Sequence, residues 1–366
     1  MEAALYDPKS GYYGAGRASI GRQGDFFTNV SVGALFGRLL ARQFAEMWTR
    51  LGKPNEFTII EQGAHGGEFA ADALAGLRDF ANECYQCTRY VIVEPSEALR
   101  QMQAAKLADF GPDRVQWRDS LEALEPCEGV HFSNELVDAF PVHRIRRSGA
   151  TWVEQHVEWR DNRFSMVEGP ISREVIESHP AILDLPMPDC YETEVNLGAN
   201  AWIETLSPKL VRGWVLLIDY GYPREEYYRP ERSTGTLSGY AKHQRVTDLL
   251  DRPGEIDLTA HVDFTNLAEA AEKQGWKTAG FTDQHHFMVG LSRLHFSDAT
   301  ALTPAMEKEL RAFKTLMHPN MMGTSFKALC LEKGIPAASQ EGSLASSSVP
   351  LAGFVFGGNP RTHLGL

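Results

Sequence analysis

With 366 residues, 43% of them hydrophobic, and a net charge of −12, the chain can bury one large core, or one core with an inserted lobe. No apolar run nears the ~18 residues that cross a bilayer, and the N-terminus lacks a basic segment followed by an apolar one, so the expectation is a soluble, cytoplasmic protein with no membrane contact. The negative charge would repel phosphodiester backbones, which argues against nucleic acid as a partner and mildly favours basic proteins.

The N-terminal stretch Leu5-Tyr-Asp-Pro-Lys-Ser-Gly-Tyr-Tyr-Gly14 is turn-rich and aromatic and reads as an ordered loop, and Gly24-Asp-Phe-Phe-Thr28 follows a second glycine-rich stretch. From Val32 to Leu51 the apolar positions Leu35, Leu39, Leu40, Phe44 and Trp48 recur at helical spacing, and Gly52-Lys-Pro54 closes the helix. Next, Phe57-Thr-Ile-Ile has strand length and ends in the acid Glu61 and a glycine cluster, Gly63-Ala-His-Gly-Gly67, after which an amphipathic run from Glu68 to Phe80 begins at once. A strand, a tight turn and a helix start are expected. Glycines let the backbone come close to a ligand, and a helix start offers unpaired N–H groups and a positive dipole end, a place for something small and partly anionic.

Cys84-Tyr-Gln-Cys87 has the form of a redox or zinc motif, but no second pair follows to complete a zinc site, and two half-buried thiols are the plainer reading. The five cysteines are irregularly spaced, which suggests no disulfide framework and fits a reducing compartment. Tyr90-Val-Ile-Val-Glu94, a helical run from Ser96 to about Ala108, Val115-Gln-Trp117 and Gly129-Val-His-Phe-Ser133 continue the alternation of short strands with helices. The pattern predicts an α/β fold, a Rossmann-like, mostly parallel sheet with helices on both faces.

From Val142 to about Arg163 the texture changes to alternating strands, an antiparallel insertion that Pro170 to Cys190 links to a helix at about Glu194 to Leu206; a lid or substrate lobe is expected. The α/β pattern resumes with Trp214-Val-Leu-Leu-Ile-Asp-Tyr-Gly221. A long loop from Tyr222 to about Leu258, a helix near Phe264 to Gln274, a strand from Trp276 to Phe281, helices near His286 to Leu294 and Pro304 to Met317, and a strand from Ser325 to Leu331 follow. The implied partition is 1–140 for N-terminal elements and the first half of the α/β domain, 141–206 for the lobe, and 207–335 for the second half with a substrate loop at 222–258. A Ser-, Ala- and Gly-rich tail, 336–366, is expected to be mobile, with Val355 and Phe356 able to dock.

A dinucleotide fingerprint fails, because the register from Gly63 puts His65 and Glu68 where the second and third glycines belong. The acid-x-Gly-x-Gly-x-Gly turn of S-adenosylmethionine methyltransferases fits better, with Glu61, Gly63 and Gly67 in place and His65 at the middle glycine. Glu94, at the next strand end, can accept hydrogen bonds from both ribose hydroxyls, and Asp119 with Ser120 can hold an adenine edge; each also fits a solvated strand end. After the fourth strand, Asn134, Glu135 and Asp138 would face the transferred methyl group. One helical turn would put Glu135 and Asp138 on the same side, although a capped loop with solvated acids is the competing reading.

In order along the chain, Gly24-Asp-Phe-Phe-Thr28, Phe36-Gly37, Glu61 to Gly67, Ser133-Asn-Glu-Leu-Val-Asp-Ala-Phe-Pro-Val-His143, Asp219-Tyr-Gly221, Gly235-Thr-Leu237 with Tyr240 and His243, and Pro253-Gly-Glu-Ile-Asp-Leu-Thr-Ala-His-Val-Asp-Phe264 resemble the MidA-like family. That family includes a mitochondrial complex I assembly factor that is a protein arginine methyltransferase. The resemblance runs from about Leu5 to Lys333. It implies a class I methyltransferase sheet with added substrate elements, S-adenosyl-L-methionine as cofactor with Thr28 among the residues that bind it, and an arginine-containing protein as substrate. Eukaryotic relatives would work in the mitochondrial matrix.

In such a site Glu135 would be the main guanidinium partner, Asp138 a second carboxylate, and Asn134 would position the backbone or the cofactor amine. His243 and His261 are either proton acceptors or loop histidines in hydrogen-bond networks. Two positions depart from the family pattern. Relatives carry Gly-Pro-Gly-Arg-Gly where this chain has Gly63-Ala-His-Gly-Gly67, and a basic residue where it has Ser238. A left-handed His65 would cost about 1–2 kcal/mol. Weakened cofactor binding is therefore expected, and a non-catalytic scaffold, or a methyltransferase for lysine or a small molecule, stands as the alternative.

Overall fold

The computed structural model describes residues 1–16, 29–242, 244–296, 303–318, 323–335 and 349–366. In chain order its strands are β1 (Phe57–Gln62), β2 (Thr88–Val93), β3 (Val115–Arg118), β4 (Cys127–Asn134), β5 (His143–Ser148), β6 (Thr151–Arg160), β7 (Arg163–Gly169), β8 (Glu192–Val195), β9 (Leu210–Tyr222), β10 (Ser238–Ala241), β11 (Gln244–Val246), β12 (Asp257–Thr259), β13 (Val262–Asp263), β14 (Lys277–Asp283) and β15 (Phe326–Lys333). The chain divides into two units.

The larger unit comprises Thr28–Leu136, Ile203–Tyr220 and Ala268–Leu366. Its strands are ordered β14-β15-β9-β4-β1-β2-β3. From β9 to β3 they are parallel, while β15 runs antiparallel to both β9 and β14. β1 lies between β4 and β2, and its first five residues are all buried, which is why apolar Phe57, Ile59 and Ile60 stand there without strict alternation. The helices Leu35–Arg50 and Glu68–Phe80 cover one face. There Phe36, Phe44 and Phe69 gather on Phe132 of β4, with the Phe69 and Phe132 rings stacked at 4.3 Å. Because the chain leaves β1 towards β2 on one side and reaches β4 on the other, the order reverses between β1 and β4, and their carboxyl ends flank the crevice where such sheets take ligands.

Residues 349–366 belong to this unit and are packed, so this part of the expected mobile tail is held in place. Leu351, Phe354 and Leu364 are buried. The Arg50 guanidinium donates to the carbonyls of Val349 (2.6 Å) and Pro350 (2.8 Å), and Glu46 and Gln43 accept from the N–H groups of Ala352 and Gly353. The docking residues are not Val355 and Phe356, which stay 36% and 48% exposed. A single 3-10 turn at Ala352–Phe354 aims Phe354 inward and leaves Val355 and Phe356 facing outward.

The second unit comprises Val137–Trp202, Gly221–Leu267 and the N-terminal segment. The alternating segments form a four-stranded antiparallel sheet, β7-β6-β5-β8, over a core of Ile145, Trp152, Tyr191, Val195, Tyr227 and Tyr228. Three expectations change here. Glu192–Val195 is strand, paired in register with β5, and the helix starts only at Leu197. The stretch 222–258 is not a bare loop, since β10 pairs with β11 and with β12. Residues 1–16 belong with this unit and not with the first half of the α/β domain, because Leu5 and Tyr12 find their apolar partners in Ile256 and Leu258. Among the described residues, no helix is long and apolar enough to cross a membrane.

Candidate active site

The turn after β1 takes the conformation that its glycines allow. Gly63 and Gly67 have φ of +80° and +81°, and His65, at the position of the middle glycine, is also left-handed at +42°. The strain foreseen for a side chain at that position is therefore present. Gly67 is the N-cap of the helix Glu68–Phe80, and no side chain caps that helix. The positive end of that helix dipole and its first N–H groups therefore lie at the carboxyl end of the central strand.

The Glu61 carboxylate is bonded to the neighbouring strand β2. It lies on the helix-covered face, 3% exposed, and accepts a 2.7 Å hydrogen bond from the Tyr90 hydroxyl. Burial pushes its pKa up to about 8, against the lowering effect of the Tyr90 bond.

Glu94 follows β2 directly and is buried. One carboxylate oxygen accepts from the Ser96 N–H at 2.9 Å and the other from the Gln103 amide at 3.3 Å. Burial raises its pKa, and these two bonds and the Arg100 charge lower it. Gln103, which the sequence did not single out, also donates to the carbonyl of His65 at 2.7 Å and accepts from the Trp117 indole at 2.9 Å. Of the expected adenine-edge pair, Asp119 is exposed beyond β3, and the Ser120 hydroxyl is bonded to Glu122.

At the end of β4 the backbone turns sharply. Glu135 has φ +55°, and its N–H donates to the carbonyl of Ile218 at 2.9 Å. The next N–H, that of Leu136, donates to the fully buried Asp219 at 3.2 Å. A left-handed glutamate is costly, and here neighbouring strands over-determine it, which is how strain persists at functional sites. The side chain is oriented by a run of amides. Gln284 donates to Asn29 Oδ1 (2.7 Å), Asn29 to Asn134 Oδ1 (2.8 Å), and Asn134 to Glu135 Oε1 (2.9 Å). Gln284 and Asn29 are completely buried. Neither was foreseen; an uncharged amide in an apolar helical or turn context was the sole trace of them.

The expected pairing of Glu135 with Asp138 on one helical turn fails, because left-handed Glu135 cannot enter such a turn and the 3-10 turn starts at Val137. In the second unit, Asp138 accepts the Thr259 hydroxyl at 2.7 Å and is 5% exposed. His261 is half-buried; its ring packs 5.2 Å from that of Tyr222, and burial lowers its pKa to about 4, keeping it neutral. Thr28 and His243 lie outside the described residues.

Residues 39–282 match a family model whose description reads "Putative S-adenosyl-L-methionine-dependent methyltransferase". The chain is 28% identical to the protein arginine methyltransferase NDUFAF7 homolog, mitochondrial, of Drosophila melanogaster, across 92% of this chain and 81% of that protein. It is 27% identical to the mitochondrial protein arginine methyltransferase NDUFAF7 of Rattus norvegicus, across 96% and 84%. A solved structure from Burkholderia thailandensis, bound to S-adenosyl-homocysteine, is similar with a TM-score of 0.83 and 29% identity, over 99% of this chain and 90% of that one.

Proposed function

Since the chain belongs to this family of S-adenosyl-L-methionine-dependent methyltransferases, we propose that its acceptor is an arginine guanidinium of a protein, held by Glu135. The relatives named as protein arginine methyltransferases support the substrate class, and the strained, amide-oriented Glu135 is the observation that carries the reading.

The cofactor fits the residues around β1 and β2. The uncapped helix start at Gly67 suits a carboxylate. Glu94 accepts one bond on each oxygen, and a carboxylate has about four lone-pair sites, so two ribose hydroxyls can be accommodated. S-adenosylmethionine would supply a methyl group on a positively charged sulfur.

A guanidinium is always protonated and a poor nucleophile. Next to a sulfonium its charge must be offset, which a carboxylate does with directional, charge-assisted bonds. Glu135 would bind the guanidinium, point one nitrogen along the transfer axis, and accept the proton that the methyl replaces. The amide run from Gln284 would hold Glu135 in that orientation, and alignment of this kind can supply up to roughly 7–11 kcal/mol of rate acceleration. The Asp138 carboxylate accepts the Thr259 hydroxyl, and we assign it no step in the transfer.

The test is Glu135→Gln, read by mass spectrometry of a methylated basic protein pool and by titration calorimetry with S-adenosylmethionine. Cofactor binding should persist while arginine methylation falls at least about a hundredfold. Undiminished arginine methylation would overturn the assignment, and methyl groups found on lysine or on small molecules would overturn the substrate class. The left-handed His65 favours one competitor, a scaffold with a weakened cofactor site; absence of heat at millimolar ligand would decide for it.

A further inference from the structure

We propose that Gln103 is a positioning residue of the cofactor site, which holds the left-handed turn at His65 and the carboxylate of Glu94 in one arrangement. This rests on the reading of Glu94 and the glycine turn as the cofactor site.

Gln103 lies in the helix Glu97–Leu107 and is completely buried. Its amide nitrogen donates to His65 O and to Glu94 Oε2, and its amide oxygen accepts from Trp117 Nε1. One side chain thereby joins the turn after β1, the residue after β2 and the edge strand β3. An amide is suited to this place, since a carboxylate would face both a carbonyl and Glu94, and an aliphatic side chain would remove one bond each from the buried Glu94 carboxylate and the half-buried His65 carbonyl and Trp117 indole. The Gln103 stem also forms a wall of the turn: a Cβ added at Gly67 would come within 3.5 Å of its Cγ.

The bond to His65 O bears on what is particular to this chain. A glycine at position 65 would adopt the turn without strain, whereas His65, at φ +42°, is held there with help from Gln103. The bond to Glu94, opposite the one from Ser96, stops the carboxylate from rotating, so that its remaining lone pairs keep a fixed plane for a bidentate ligand.

A double-mutant cycle tests this. S-adenosylhomocysteine would be titrated calorimetrically into the wild type, Gln103→Met, His65→Gly and the double variant, with melting curves confirming that each is folded. Gln103→Met should weaken binding by about tenfold in the wild-type background and by less than about threefold in His65→Gly, because glycine no longer needs the tether. Gln103→Glu should bind more weakly than Gln103→Met, which a packing role alone would not produce. Unchanged affinity in Gln103→Met, or equal losses in both backgrounds, would overturn the proposal while leaving the cofactor site intact. A wild type that takes up no ligand would instead overturn the reading on which it rests.

Discussion

Asn29 donates its side-chain amide to Asn134 at 2.8 Å, although 105 residues separate them. Through Asn134 this bond reaches Glu135 Oε1, so a residue that touches no ligand in the proposed scheme sets the direction of the one that does. Asn29→Ala should lower the rate of methyl transfer in a single turnover by about tenfold and leave the dissociation constant for S-adenosylmethionine within about threefold of wild type. Equal changes in binding and rate would show that Asn29 acts on the cofactor site instead.

Glu135 pays in stability for its orientation. Replacing it by glycine removes the left-handed strain of about 1–2 kcal/mol and adds the chain entropy of glycine, about 0.5–1 kcal/mol, so Glu135→Gly should raise the unfolding free energy by about 0.5–1 kcal/mol while abolishing transfer. Urea titration at constant m-value measures the first effect. A less stable variant would mean that the Glu135 side chain contributes more through Asn134 than its backbone costs.

Glu61 should make stability depend on pH with an unusual sign for a carboxyl. Burial holds its folded pKa at about 8, above the ordinary value near 4.3. The native state therefore keeps a proton that the unfolded chain releases, and stability falls as the pH rises from about 4.5 to about 8. The difference is on the order of 4 kcal/mol across that window. In Glu61→Gln this component should vanish, and parallel pH profiles of the urea midpoints for the two proteins would contradict it.

The C-terminal segment should contribute to the stability of the larger unit through one ring. Phe354 is 3% exposed and lies 5.1 Å from Phe287. Phe354→Ala should cost about 3 kcal/mol, whereas Val355→Ala, at a position 36% exposed, should cost less than about 0.5 kcal/mol. Thermal melts of the two variants make the comparison, and similar melting temperatures would show that the segment is only lightly attached.

The strands and helices of the larger unit were readable because each announces itself within about ten residues. Phe57 to Glu61 is a short apolar run before a glycine turn, and Leu35 to Trp48 repeats at helical spacing. Local conformation was readable at the strand ends: Gly63 and Gly67 form the expected left-handed turn, and Glu94 and Glu135 directly follow their strands. The helical turn expected to join Glu135 and Asp138 does not form, because spacing alone assumes a right-handed turn and φ at Glu135 is left-handed. Gln103 and Gln284 carried no more signal than an uncharged amide in a helix, since nothing in the helix shows which of its amides will meet a strand end.

The sequence by itself determined the periodicities, the glycine turn and the chemical type of each strand-end residue, because these depend on local sterics and on apolar spacing. Only the tertiary structure decided what each of those side chains bonds to. It turned Glu61 inward to Tyr90, linked Asn29 to a strand end more than a hundred residues away, and docked Phe354 on Phe287. The reason is that a hydrogen bond or a ring contact is decided by distance in space, and for partners far apart in the chain that distance exists only once the sheet order has formed.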